Sequence, residues 1–205
     1  MELLKIIEEV GNVIVENKEY LTDLDREIGD GDHGVNLARG FEAIKAELPK
    51  LEGQKLGDIF NKMAMLLISN VGGASGAIYG TALMKAGAYL KKNEAADPMA
   101  AAAVWKEMLN GIQMRGKAVL GEKTMLDTQI PAYEAFVNKA EAGGTFADCF
   151  AAAEIKAKEG MESTKDIIAT KGRASYLGER SIGHIDPGSA SSYLMIKTIK
   201  EKLEK

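Results

Sequence analysis

Residues 35–48 read Val-Asn-Leu-Ala-Arg-Gly-Phe-Glu-Ala-Ile-Lys-Ala-Glu-Leu, with apolar groups at Val35, Ala38, Phe41, Ile44 and Leu48. At 3.6 residues per turn these positions form one stripe of a helix, with charged groups on the opposite face. The same period extends in both directions along the chain. Upstream, Leu3, Ile7, Val10 and Ile14 mark a first helix; downstream, Leu56, Ile59, Phe60, Met63 and Leu67 mark a third. An Ala-rich fourth helix is expected from about Ser75 to Lys92, closed by cations that suit the helix dipole. Asp97 followed by Pro98 is a helix start, a cap and then proline at the first helical position, for a fifth helix reaching about Arg115. A sixth is expected from Asp127 or Thr128, with Pro131 inside its first turn and Gly143 and Gly144 ending it. Phe146 to about Met161 and Ser189 to Leu203 supply the seventh and eighth. No alternating run of β-branched residues competes with these helices. The expected fold is all-α: eight helices with mostly short connections, forming an antiparallel up-and-down barrel or bundle within a single domain over 1–205.

Composition narrows the classes. Of 205 residues, 46% are hydrophobic, enough for a sizeable core, and 27% are charged, so a disordered chain is excluded. The 26 Lys and Arg are outnumbered by 30 Asp and Glu, which argues against a general nucleic-acid surface. The single cysteine, Cys149, lies at helical spacing among Phe146, Phe150 and Ala153 and reads as a buried core thiol. The N-terminus is charged every few residues and has no cleavage site, and no window approaches a membrane span. A cytoplasmic protein with no membrane partner is expected.

Between Ser163 and Gly188 the apolar period lapses, although the segment holds Arg173, Arg180, His184 and Asp186. A connection that long in a compact domain is functional or disordered. Four junctions carry residues with chemistry. Leu-Asp-Arg-Glu-Ile-Gly-Asp-Gly-Asp-His-Gly places Asp25, Asp30 and Asp32 in the link between the first two helices. Carboxylates within about 5 Å of each other repel by about 3 kcal/mol per pair at an effective dielectric of 20, so a cation must offset them. Hard oxygen ligands on a flexible turn suit Mg²⁺ together with phosphate oxygens. The alternative is that Asp32 caps the next helix and the others are solvated turn residues. The glycines Gly72, Gly73 and Gly76, with Ser75, open the fourth helix as a phosphate cradle or as a tight helix–helix turn. Gly121 to Thr128 offers Thr124 and Met125 to flank a flat base, or a bare helix start. Lys171 to Gly188 supplies a guanidinium at Arg173 for phosphate oxygens. Acid cluster, anion cradle, apolar slot and cation together are what phosphoryl transfer from a magnesium nucleotide requires.

These four motifs, in this order and over essentially the whole chain, resemble the nucleotide-binding L subunit of dihydroxyacetone kinase. The resemblance implies ADP or ATP with two Mg²⁺ at one end of the barrel. It implies Asp25, Asp30 and Asp32 as metal ligands. It also implies that His33, Gly34, Val35, Asn36, Ala74, Ser75, Gly116, Met125, Arg173, Asp186, Pro187 and Gly188 line the nucleotide. Arg173 and His33 are then the expected catalytic pair, Arg173 on the transferring phosphoryl group and His33 on phosphate at the helix start. The family divides by phosphate source, and a chain with no room for a substrate domain resembles the separate subunit. Its bound ADP is rephosphorylated by a phosphotransferase-system protein, and a partner K subunit holds the ketone on its own histidine, so neither His33 nor His184 is an expected nucleophile. An exchangeable ATP, a non-catalytic nucleotide-binding regulator and a related kinase of another substrate stay open. The His-Gly after Asp32 argues against the last.

Overall fold

The computed structural model describes residues 2–204. Among the described residues there are nine α-helices and no strand: α1 (Glu2–Glu16), α2 (Lys18–Ile28), α3 (His33–Leu51), α4 (Leu56–Asn70), α5 (Gly73–Leu90), α6 (Pro98–Gly116), α7 (Leu126–Glu141), α8 (Phe146–Ser163) and α9 (Pro187–Leu203). The all-α expectation holds. The eight expected helices correspond to α1 and α3 through α9.

The ninth, α2, occupies what the apolar period leaves as a link. Its buried face is Leu21, Thr22, Asp25 and Ile28, half of it polar, so no apolar stripe announces it. A break at Asn17, whose side chain donates to the Val13 carbonyl at 2.8 Å, separates it from α1. The backbone of α2 runs against α3 at Gly34, where a Cβ would come within 2.0 Å of the Lys18 carbonyl. Only glycine permits that approach.

Helix ends differ from the sequence reading by a residue or two where caps decide them. Asp97 accepts from the Ala100 amide at 2.8 Å with Pro98 following, as expected. Thr145 and Asp148 form a capping box that starts α8. Helix α7 begins at Leu126, earlier than expected, because Asp127 accepts from the Gly121 and Thr124 amides at 2.6 and 2.7 Å; Pro131 therefore lies in the second turn. The connection after α8 contains 3-10 turns over Thr164–Asp166 and Arg173–Ser181.

Skipping α2, each helix packs on the next in chain order, and α9 packs on α1, closing a ring; α2 lies against α3, α9 and the 173–181 turn. The interior is filled by Ile14, Leu37, Ile44, Leu67 and Leu126, among others. A second cluster, Phe136, Cys149, Ala153 and Ala157, joins α7 to α8, with Trp105 edge-on to Phe136 at 5.6 Å. Cys149 is the buried core thiol expected. Val35, in contrast, is 49% exposed, and Leu37 takes its place in the core. No helix among the described residues is long and apolar enough to cross a membrane.

Candidate functional site

The first residues of α3, α5, α7 and α9 and the last of α2 and α6 line one cavity of about 520 Å³. Four helix N-termini bring the positive ends of their dipoles to the same place, which favours an anion.

On one wall stand the acidic residues. Asp25, in the last turn of α2, is buried; Asp30 and Asp32 lie in the exposed turn before α3, and one carboxylate oxygen from each can be chosen so that all lie within 4.8 Å of one another. Asp25 is fixed from two directions. Its Oδ2 accepts from the Asp32 and His33 amides at 2.8 and 3.1 Å, and a Cβ at Gly29 would sit 2.0 Å from its Oδ1. One oxygen of Asp25 thus anchors the α3 start, and the other lies against Gly29. An all-oxygen set with this concentration of charge fits a hard divalent cation such as Mg²⁺. Arg173, on the far side, pairs through Nη2 with Asp30 Oδ2 at 2.8 Å.

The opposite wall is the start of α5. Gly73, Ala74 and Ser75 line the cavity, and Ser75 Oγ is hydrogen-bonded to His33 Nδ1 at 3.1 Å. The other ring nitrogen of His33 meets Ser191 Oγ at 3.0 Å, and Ser191 meets the Tyr79 hydroxyl at 3.1 Å. Burial holds the His33 pKa below its ordinary value, against the pull of Asp25 and Asp32, so the ring is neutral at pH 7. Both of its nitrogens are engaged by serines, and its ring orients Ser75.

The floor is apolar: Ile78, Ile112, Ala118, Met125 and Leu126, with Gly116 at the end of α6. Asp186 caps α9 by accepting from the Ser189 amide at 2.7 Å. Desolvation raises its pKa to about 7, against the Ser189 hydrogen bond and with Asp127 pushing the same way; Lys123 opposes.

Asp25, Asp30, Asp32, His33, Gly73, Ala74, Ser75, Gly116, Thr124, Met125, Arg173, Asp186, Pro187 and Gly188 therefore meet on one surface, whereas Gly34, Val35 and Asn36 do not line it. Gly34 faces α2, and Asn36 Oδ1 accepts from Arg39 at 2.8 Å. His184 Nδ1 lies 3.8 Å from Glu27 Oε2, outside the cavity lining. Sequence reasoning missed Arg115, Lys123 and Lys171, which also line the cavity. Lys123 lay in plain view within Gly-Glu-Lys-Thr, but nothing in a single sequence marks a lysine as buried.

Residues 27–201 match the family described as the DAK2 domain. The chain is 43% identical over 192 residues to the PEP-dependent dihydroxyacetone kinase 1, ADP-binding subunit DhaL, of Listeria innocua, covering 94% of this chain and 91% of that one. It is 39% identical to the corresponding PEP-dependent kinase subunit of Escherichia coli, over 92% and 90% of the two chains. It is 43% identical to the PTS-dependent kinase ADP-binding subunit of Lactococcus lactis, with the same coverage. The fold is similar to that of the dihydroxyacetone kinase of C. freundii, with a TM-score of 0.78 at 23% identity over 97% of this chain and 34% of that one. In the complex of that kinase with AMP-PNP and Mg²⁺ the TM-score is 0.75 at 24% identity. With a family match over most of its length and relatives of similar length at 39–43% identity, the chain belongs to the DAK2 domain family.

Proposed function

We propose that this chain is the ADP-binding subunit of a phosphoenolpyruvate-dependent dihydroxyacetone kinase. It acts as one helical nucleotide-binding unit within a complex. A separate K subunit presents dihydroxyacetone, this chain supplies the phosphoryl group from its bound nucleotide, and a phosphotransferase-system protein rephosphorylates the ADP. The observation that carries this reading is the convergence of the acid cluster, the start of α5 and Arg173 on a single cavity with an apolar floor.

In this reading the base lies on Ile78, Ile112 and Met125, and the start of α5 directs its amides at the phosphates. Ser75, held by His33, donates to a phosphate oxygen. Asp25, Asp30 and Asp32 would hold Mg²⁺, which when bound would neutralise phosphate charge. Arg173 leaves Asp30 for the transferring phosphoryl group, where its fork of N–H donors offsets charge that grows in the transition state. Docking of a partner over the exposed mouth excludes water and so suppresses hydrolysis.

The test is mass spectrometry of the small molecules released when the purified protein is denatured. Release of ADP in near-stoichiometric amount is expected. A preparation that neither carries adenine nucleotide nor binds it with Mg²⁺ in calorimetry would contradict the reading.

A further inference from the structure

Lys123 lines the cavity, and the mechanism above gives it no task. Its side chain is 1% exposed, among the most buried in the protein, and its backbone is left-handed, with φ of 61°. A non-glycine residue stays in that region only where its surroundings over-determine it. Here they do. The ammonium donates to the Thr164 carbonyl and to the His184 carbonyl, with Asp186, Asp127 and Asp166 around it.

Thr164 and His184 are the two ends of the connection that carries Arg173. Near the same neck, the Gly183 amide donates to the Lys165 carbonyl at 2.7 Å and the Asp186 amide to Thr164 Oγ1 at 3.1 Å. A third tie runs from the next residue: the Glu122 carbonyl accepts from the Thr170 amide at 3.4 Å, and its carboxylate pairs with Lys171 at 3.7 Å, two residues before Arg173. The segment thus stands as a loop whose neck is drawn together on Lys123 and whose free part places Arg173 over Asp30. Beyond the neck, the loop rests on α2 through a small cluster of Ala169, Ala174 and Leu177 on Ile28, while Tyr176 at the tip is 88% exposed.

We propose that Lys123 is a positioning residue: by clamping both ends of the 164–184 loop, its ammonium sets where Arg173 meets the phosphoryl group. This rests on the kinase reading above. A misplacement of about 1 Å in a positioned group lowers turnover by about 100-fold, so the clamp governs rate while leaving nucleotide and ketone contacts in place.

The experiment compares the wild type, Lys123→Met, Arg173→Ala and the double variant. Turnover of dihydroxyacetone is measured with the K subunit and phosphoryl donor, and amide hydrogen exchange is measured on the chain without nucleotide. Lys123→Met is expected to lower kcat by about 100-fold with KM for dihydroxyacetone unchanged, and to speed exchange at Gly183 and Asp186. In the Arg173→Ala background it should lower kcat by no more than about twofold further, because coupled residues are non-additive. Full multiplication of the two losses would overturn the proposal. So would wild-type kcat in Lys123→Met, whether exchange is faster, which would make Lys123 a structural tie alone, or unchanged. Should Lys123→Met fail to fold, Lys123→Arg keeps the cation with a longer, forked head. Its smaller loss is expected to vanish in the Arg173→Ala background, and persistence of that loss would overturn the clamp. A wild-type mixture without turnover would instead overturn the kinase reading, and the clamp with it.

Discussion

Arg173 Nη2 stands 2.8 Å from Asp30 Oδ2, bridging the loop after α8 to the turn after α2 across the mouth of the cavity. Both groups are well exposed, so the pair contributes about 0–1 kcal/mol to stability. Its consequence is for the proposed function: the guanidinium is paired with one of the carboxylates assigned there to the cation. In the proposed function, loading with Mg²⁺ and nucleotide would turn Arg173 from Asp30 toward phosphate oxygens.

Replacing Arg173 with alanine is therefore expected to leave the fold intact. Tm should change by about 2–4 °C or less, while turnover falls by about 10³-fold or more, as for comparable arginines in phosphoryl transfer. Thermal unfolding beside steady-state rates checks this. A Tm loss that accounts for the missing activity would make the arginine structural.

Asp30→Ala removes a carboxylate that takes no part in packing, in contrast to Asp25, which holds the α3 start through two amides. Calorimetry with Mg²⁺ and ADP should show nucleotide binding abolished in Asp30→Ala with Tm of the nucleotide-free protein preserved. Unchanged ADP affinity would count against the metal site.

Gly29→Ala tests the same cluster without touching a ligand. The added methyl would press on Asp25 Oδ1, so the carboxylate must shift from its present place in the cluster. Weakened Mg²⁺-dependent ADP binding is expected, with loss of the α3 cap also lowering Tm by the equivalent of about 1 kcal/mol. Wild-type affinity would show that Asp25 is not held by this contact.

Asp186 gives the site a pH signature. Its carboxyl is raised to about 7 by desolvation, above the unfolded value of about 4, so the folded state binds the proton more tightly. The resulting stability is fully present below about pH 4 and is lost as pH rises through about 7. Asp186→Asn keeps an acceptor for the Ser189 amide but removes the titration. Without nucleotide, the fall in Tm between about pH 5 and pH 8 should be smaller in this variant than in the wild type; equal falls would contradict the shift.

The long helices were legible because their stripes are strongly apolar, as Phe41, Ile44 and Leu48 show, and because Asp97 with Pro98 punctuates the start of α6. Helix α2 was not, since Thr22 and Asp25 occupy its inner face. The candidate site was visible as residue types at four junctions. That these junctions share one cavity depends on alternate helices beginning at the same end, which no local pattern reports. Gly34 illustrates the limit: the family resemblance places it at the nucleotide, but its missing Cβ makes room for the α2 backbone. Lys123 illustrates the reverse, a charged residue whose burial is set wholly by the carbonyls of Thr164 and His184, distant in sequence.

The central claim is that this chain supplies a phosphoryl group to a ketone it does not itself hold. Formation of dihydroxyacetone phosphate should be followed for the chain alone with ATP and Mg²⁺, then with a K subunit, then with the K subunit and the phosphoenolpyruvate-driven donor. The account expects no sustained turnover by the isolated chain and sustained turnover only in the complete mixture. Continuous product formation by the chain alone, or none in the complete mixture, would contradict it.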